Sequence, residues 1–306
     1  MSLSIRSRAT KRTRQRTIKR VLSLTPAMVM LTCFMLIPLG IVVVYSFLER
    51  GTYGGVEPAF SLEAYRQLVF ERDFDNTLMF STANVRIFWR SLWLAFATMA
   101  LSLVAALPVA YYIARQPKER KNTLVLLITI PFWTNLLIRT FCWILILRDT
   151  GLINQALQRL NLIDEPVTLL FTNGAVLVGL VYSYLPFMVL PLYASLEKLD
   201  IRLLEAAHDL YASRWRVFRR ITLPLAMPGI VAGCTLVFIP SLGAFITPQL
   251  LGGGKNLMLG SLIQMQFSSS RNWPFGAAMA LMLLTFVLVA LLVYVRSPAQ
   301  REGGLL

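Results

Sequence analysis

Apolar and polar positions fall in long blocks along this chain, not at the period of an amphipathic helix or a half-buried strand. Uncharged runs cover 21–48, 91–114, 166–196, 221–254 and 272–295, and a further apolar stretch, 122–147, is interrupted only by Arg139. About 20 apolar residues suffice to cross ~30 Å of hydrocarbon, and buried helices of soluble proteins are shorter. The pattern predicts an all-α membrane protein with transmembrane helices at about 21–48, 88–114, 122–147, 174–196, 225–247 and 273–295. Prolines recur inside these spans, at 38, 108, 131, 186, 191, 228 and 240. Each removes a backbone donor. Membrane helices tolerate this where neighbours or a watery cavity satisfy the freed carbonyls, and broken helices that line a path favour a transporter.

The longest connection, 49–86, is acidic, with Glu49, Glu57, Glu63, Glu71, Asp73 and Asp75. The segment 148–172 contains GLINQALQRLNL, whose Leu152, Ala156, Leu157 and Leu160 predict a short amphipathic helix. The connection 248–272 holds LGGGKN, read as a flexible turn.

Composition changes the picture in one respect. The chain has 306 residues and is 15% charged, with a net charge of +15. Twenty of its 30 basic residues, but 6 of its 15 acids, lie in 1–20, 115–122, 197–223 and the C-terminal tail from Arg296. Those segments alternate between the spans, which is the positive-inside asymmetry. The expected topology is N-in/C-in, with cytoplasmic tails at 1–20 and 297–306. The charge therefore orients the chain in lipid and does not point to a nucleic-acid partner. The Arg-rich start resembles a transit peptide, but the apolar run after it is too long for a signal-peptide core and reads as an uncleaved anchor. Cys33, Cys142 and Cys234 lie in apolar runs and lack metal-ligand spacing.

Candidate chemistry is sparse. In LGGGKN, Gly254–Lys255 is followed by Asn256, and Gln249 stands where a phosphate loop needs its first glycine. No HExxH or GxSxG is present, and the chain holds a single His. No catalytic or metal site is expected. If the chain does work, a partner supplies the energy.

The segment 197–224 reads EKLDIRLLEAAHDLYASRWRVFRRITLP. Asp200 is placed to cap a helix from 201 to about 211. Leu203, Ala207 and Leu210 share one face, with Leu204 and Tyr211 beside them. Ser213 is placed to cap a second short helix with Trp215, Phe218 and Ile221 along it, and Pro224 opens the fifth span. A helix lying on lipid headgroups would account for the arginines. It does not account for Glu205, Ala206, Ala207 and Asp209, which suit a helix seated closely in a protein groove.

This segment resembles the EAA motif of ABC importer permeases, EAA-x3-G-x9-I-x-LP. Glu205, Ala206, Ala207, Ile221, Leu223 and Pro224 match at the motif's spacing, and Tyr211 stands at its glycine. Glycine there permits a left-handed turn; either Tyr211 adopts that strained hand or the turn shifts to Ala212. The resemblance covers about 21–296. It is closest to polyamine (spermidine/putrescine) importer permeases in PFWTNLLIRTFCWILIL at 131–147, GLVYSYLPFMVLPLYASLEKLD at 179–200, MPGIVAGCTLVFIPSLGAFITPQLLGG at 227–253 and RNWPFGAA at 271–278. It implies a type I importer permease (MetI-like) fold in the bacterial inner membrane. It implies a coupling helix contacting an ATPase through Glu205, Ala206, Ala207, Asp209, Leu210, Tyr211 and Ala212. It also implies a second permease chain, two ATPase chains and an extracytoplasmic binding protein as partners. No cofactor is expected on this chain, ATP and Mg being held by the ATPases. Related permeases for opines, ferric iron and aminophosphonates share parts of the pattern.

A polyamine path needs carboxylates or aromatic faces. No span has an acid at its centre. Phe132, Trp133, Tyr182, Tyr184, Phe187 and Phe245 supply aromatic faces, and Asp149 lies at the outer end of the third span. Each aromatic alone is equally explained by packing in lipid. A local break before Pro186 would turn a tyrosine hydroxyl inward. Arg139 is expected to tie its helix to a backbone carbonyl or to an acid in a partner subunit. A secondary transporter working alone would instead need midplane acids or an inverted repeat, and a membrane enzyme a nucleophile–base or metal set. Neither is visible.

Overall fold

A computed structural model describes residues 25–26, 28–72 and 78–296. The tails 1–20 and 297–306, the start of the first span and the acids Asp73 and Asp75 lie outside the described residues. Five helices are long and apolar enough to cross a membrane, or six if one bent pair counts as a span. These are α1 (Met28–Ser46), α3 (Thr82–Ala114), α7 (Asn173–Glu197), α10 (Leu223–Leu242) and α13 (Trp273–Arg296), with α4 (Lys118–Trp133) and α5 (Leu136–Leu147) as the bent pair.

The centre is a three-helix contact. Ala106, Ala110 and Ile113 of α3 pack with Met188, Val189, Leu192 and Leu196 of α7 and Ala226, Ile230 and Val237 of α10. Lipid tails are as apolar as leucine, so close approach over small residues, not water exclusion, binds such helices. Gly229 and Gly233 of α10 provide it. A Cβ on Gly229 would lie 2.6 Å from the Pro191 carbonyl, and one on Gly233 2.7 Å from the Met188 sulfur. Pro186 and Pro191 sit within an unbroken α7, so the local break expected before Pro186 does not form.

The stretch read as one span, 122–147, is broken. Pro131 removes a donor near the end of α4, Thr134 is extended, and Asn135 caps α5 by accepting the Leu137 N–H at 2.8 Å. The following segment, Leu136–Arg159, runs at 88° to α4. It includes α6 (Leu152–Arg159), the predicted amphipathic helix. Its buried anchor is Asn154, which exchanges hydrogen bonds with both backbone groups of Val167 at 2.9 and 3.0 Å. Leu152 and Leu160 are exposed.

The fifth span also stops early, at Gly243, and in the connection after it short helices flank the turn at LGGGKN. Helices α11 (Ile246–Leu251) and α12 (Leu259–Phe267) tuck back into the bundle. Leu251 and Met258 join Leu94, Leu147, Val176 and Leu180 in a second core. Gly253 and Gly254 take the positive φ, 61° and 73°, that turns the chain between them. The acidic connection 49–86 carries two strand pairs and a short helix. Strands β1 (Leu48–Arg50) and β2 (Val56–Phe60) form one antiparallel hairpin, in register Glu49 to Glu57. Helix α2 (Glu63–Val69) leads into a second, β3 (Phe70–Arg72) with β4 (Leu78–Phe80).

Candidate functional site

Between α7 and α10 the chain forms α8 (Ile201–Asp209) and α9 (Arg214–Val217). Asp200 starts α8: its Oδ1 accepts the Arg202 N–H at 3.0 Å. Leu204 and Ala207 turn inward against Val217, with Ala212 and Ile221 packed around them. The buried seam thus lies beside the expected face of Leu203, Ala207 and Leu210, because Val217 returns against Leu204. Leu203 and Leu210 are left exposed. Val217 went unremarked in the sequence, although its i+4 spacing to Ile221 marks it as part of the same stripe.

The turn after α8 is made at Tyr211, whose φ is 59°. The Ala212 N–H reaches back to the Ala207 carbonyl at 3.1 Å, the six-residue bond of a Schellman turn. Of the two geometries open in the sequence, the chain therefore adopts the strained one. Leu210 is 82% exposed and Tyr211 97%. The motif residues divide accordingly. Ala207 holds the hairpin and Ala212 is half-buried, while Glu205, Ala206, Asp209, Leu210 and Tyr211 form one exposed surface.

The second leg departs from two expectations. The Ser213 hydroxyl makes no capping bond. Helix α9 also does not end; it passes through a π-helical turn, Phe218–Thr222, into α10, giving one helix from Arg214 to Leu242. The Leu223 N–H closes that wide turn on the Phe218 carbonyl. Pro224 explains it: in an α-turn its ring would press on the carbonyl four residues back, and the wider turn makes room.

Ring contacts join this leg to the bundle. Trp215 stacks on Phe218 at 5.7 Å, Phe218 meets Tyr111 of α3 edge-on at 6.4 Å, and the Arg115 guanidinium sits 4.2 Å above Tyr111. Lys121 of α4 pairs with Glu197 of α7 at 3.5 Å. A cleft of about 370 Å³ runs along α8, lined by Arg115, Lys121, Glu197, Leu204 and Glu205.

The aromatic candidates separate into groups. Phe132 meets Phe187 edge-on at 5.0 Å, Tyr184 lies 6.3 Å from Phe187, and the Arg139 guanidinium lies 5.9 Å from the Phe132 ring. The Tyr184 hydroxyl donates to the Pro240 carbonyl at 3.2 Å, satisfying one of the acceptors left free at the end of α10. Tyr182 instead meets Trp143, at 5.6 Å, a residue the sequence did not single out. Trp133 projects from the end of α4, 82% exposed. Phe245 is exposed at the start of α11, and Asp149 is exposed beyond α5. Among the described residues no group of His, Cys, Asp or Glu is arranged to hold a metal ion.

Residues 106–298 match the family described as the binding-protein-dependent transport system inner membrane component. The chain is 42% identical over 267 residues to the spermidine/putrescine transport system permease protein PotB of Escherichia coli K12, covering 87% of this chain and 93% of that one. It is 40% identical to the PotB of Haemophilus influenzae, covering 88% and 89%. Its fold is similar to that of a bacterial ABC transporter involved in the import of the acidic polysaccharide alginate, with a TM-score of 0.66 at 18% identity over 94% of this chain and 97% of that one. The chain belongs to the binding-protein-dependent transport system inner membrane components, and is an inner-membrane permease of the ABC-importer type.

Proposed function

We propose that this chain carries polyamines, spermidine or putrescine, across the inner membrane. In this reading an extracytoplasmic binding protein delivers the substrate, and two partner ATPases drive the cycle. A second permease chain completes the path, and ATP and Mg reside in the ATPases, with no nucleotide site on this chain. Both termini lie in the cytoplasm. The substrate assignment rests on the 42% identity to a spermidine/putrescine permease across most of the chain. It is also consistent with the Phe132–Tyr184–Phe187 cluster, whose ring faces suit an ammonium at ~0.5–2 kcal/mol per contact.

The observation that carries the coupling role is the exposed surface of Glu205, Ala206, Asp209, Leu210 and Tyr211, on a helix glued to α10 through Leu204, Ala207 and Val217. Tyr211 crowns that surface, held in the left-handed region at φ 59° with its ring exposed. A rigid link through α9 into a membrane-length helix lets movement at that tip reach the bundle. Glu205→Lys reverses the charge at the centre of this surface. Uptake should fall to background and the ATPase should no longer respond to loaded binding protein, while the chain stays in the membrane at normal level. Normal uptake by this variant sinks the coupling role. A binding protein that takes an anion or a sugar and ignores spermidine and putrescine sinks the substrate assignment.

A further inference from the structure

Arg139 carries a charge that no described residue of its own chain answers. Only uncharged residues, 122–138, lie between it and Lys121, through α4 and the break at Thr134–Asn135. Residues 140–147 are uncharged on its other side. Its Nε is buried and has no hydrogen-bond partner among the described residues. The backbone carbonyl expected to hold that nitrogen does not, and the guanidinium instead lies 5.9 Å from the Phe132 ring. A ring face does not replace the hydrogen bonds that five guanidinium N–H groups require, and an ionised group within an apolar membrane segment is paired or functional. The helix bearing it is also uncovered: Ile138, Phe141 and Leu145 of α5 are all exposed in the single chain.

We infer that Arg139 pairs with a carboxylate on a membrane helix of the second permease subunit, and that α5 is part of the contact between the two chains. Charge complementarity selects this occupant, since a planar guanidinium with open N–H groups matches a carboxylate bidentately. The inference rests on the two-permease reading above and adds a reason for it. A bare cation beside the Phe132–Tyr184–Phe187 cluster would repel a di- or tri-ammonium substrate. Neutralised by a partner acid, the same arginine leaves the aromatic faces usable, so the path becomes permissive to cations only in the assembled pair.

The test uses the full importer, purified in mild detergent through a tag on this chain. Arg139→Gln and Arg139→Glu should each reduce the partner permease recovered by at least about tenfold, because removing one side strands the other in the membrane. Arg139→Lys, which keeps the charge but loses the bidentate fork, should retain clearly more than Arg139→Gln. In the Arg139→Glu background, changing the correct membrane acid of the partner permease to Arg should restore both recovery and uptake. Full assembly of Arg139→Gln, or failure of every membrane acid of the partner to rescue Arg139→Glu, overturns the pairing; the second result would leave lipid phosphate as what neutralises the arginine. ATP hydrolysis by the unmutated complex, stimulated by loaded binding protein, is read in parallel. Its absence sinks the importer reading itself, whereas its presence with intact Arg139→Gln complexes sinks only the pairing.

Discussion

Tyr211 stores strain at the point where contact with a partner is proposed. An L-residue in the left-handed region costs about 1–2 kcal/mol, and Tyr211 sits there at φ 59°. Glycine removes that cost and the side chain together, whereas alanine removes only the side chain. Tyr211→Gly should therefore protect the Ala212 amide from hydrogen exchange by about five- to thirtyfold relative to Tyr211→Ala. Both variants should lose uptake to the same extent if the ring touches the ATPase. A Tyr211→Ala importer as active as the parent would show that the ring has no such role. The hand of this turn was not legible in the sequence, because local propensity and motif spacing disagree there. The contacts that decide it, the Ala212–Ala207 hydrogen bond and the packing of Leu204 on Val217, form only when both legs of the hairpin are in place.

Elements were legible where a single signal governed them. Helices α3, α7 and α13 follow the uncharged runs because their backbone bonds are satisfied internally and lipid suits every apolar face. Breaks were not legible, because an apolar run reads the same whether or not its helix continues. Pro131 precedes a break and Pro186 does not. The difference lies in the residues just after each proline. Thr134 and Asn135 offer side-chain bonds to the freed backbone, at 2.7 Å to Pro131 and 2.8 Å from Leu137. The α7–α10 contact makes its own prediction. A methyl at Gly229 would meet the Ser195 Cβ at 2.5 Å and the Pro191 carbonyl at 2.6 Å, neither of which is the free end of a flexible chain. A methyl at Gly233 meets first the Met188 sulfur, at 2.7 Å, near the end of an unbranched side chain that has other rotamers. Gly229→Ala should cost about 1–3 kcal/mol by overpacking, read as a lower unfolding temperature of the purified complex, and Gly233→Ala clearly less. Equal losses at both sites would mean that the α7 backbone yields.

At the scale of the whole molecule, the two ends of the bundle are built from different chemistry. At one end the Lys121–Glu197 pair, the Arg115–Tyr111 contact and the Tyr111–Phe218–Trp215 rings gather the basic connections 115–122 and 197–223. At the other, Arg50 donates to the Ser270 carbonyl at 3.0 Å, the Gly55 N–H to that of Arg271 at 3.0 Å, and Arg90 to that of Lys255 at 3.1 Å. The first two bonds draw the acidic connection 49–86, and the third the start of α3, against the segment after α11. Charge asymmetry along the sequence and partition of contacts in space thus agree on which segments share a side, and the positive-inside rule names the basic side as cytoplasmic. Two exposed positions report on the assignment, Tyr53 at the tip of the β1–β2 hairpin and Lys118 at the start of α4. In a chain whose three cysteines are replaced, Tyr53→Cys should react with a membrane-impermeant maleimide in cells with intact inner membranes. Lys118→Cys should react only after that membrane is opened. The reverse pattern would put the α8 surface outside, away from any cytoplasmic ATPase, and the coupling role would fall with the topology.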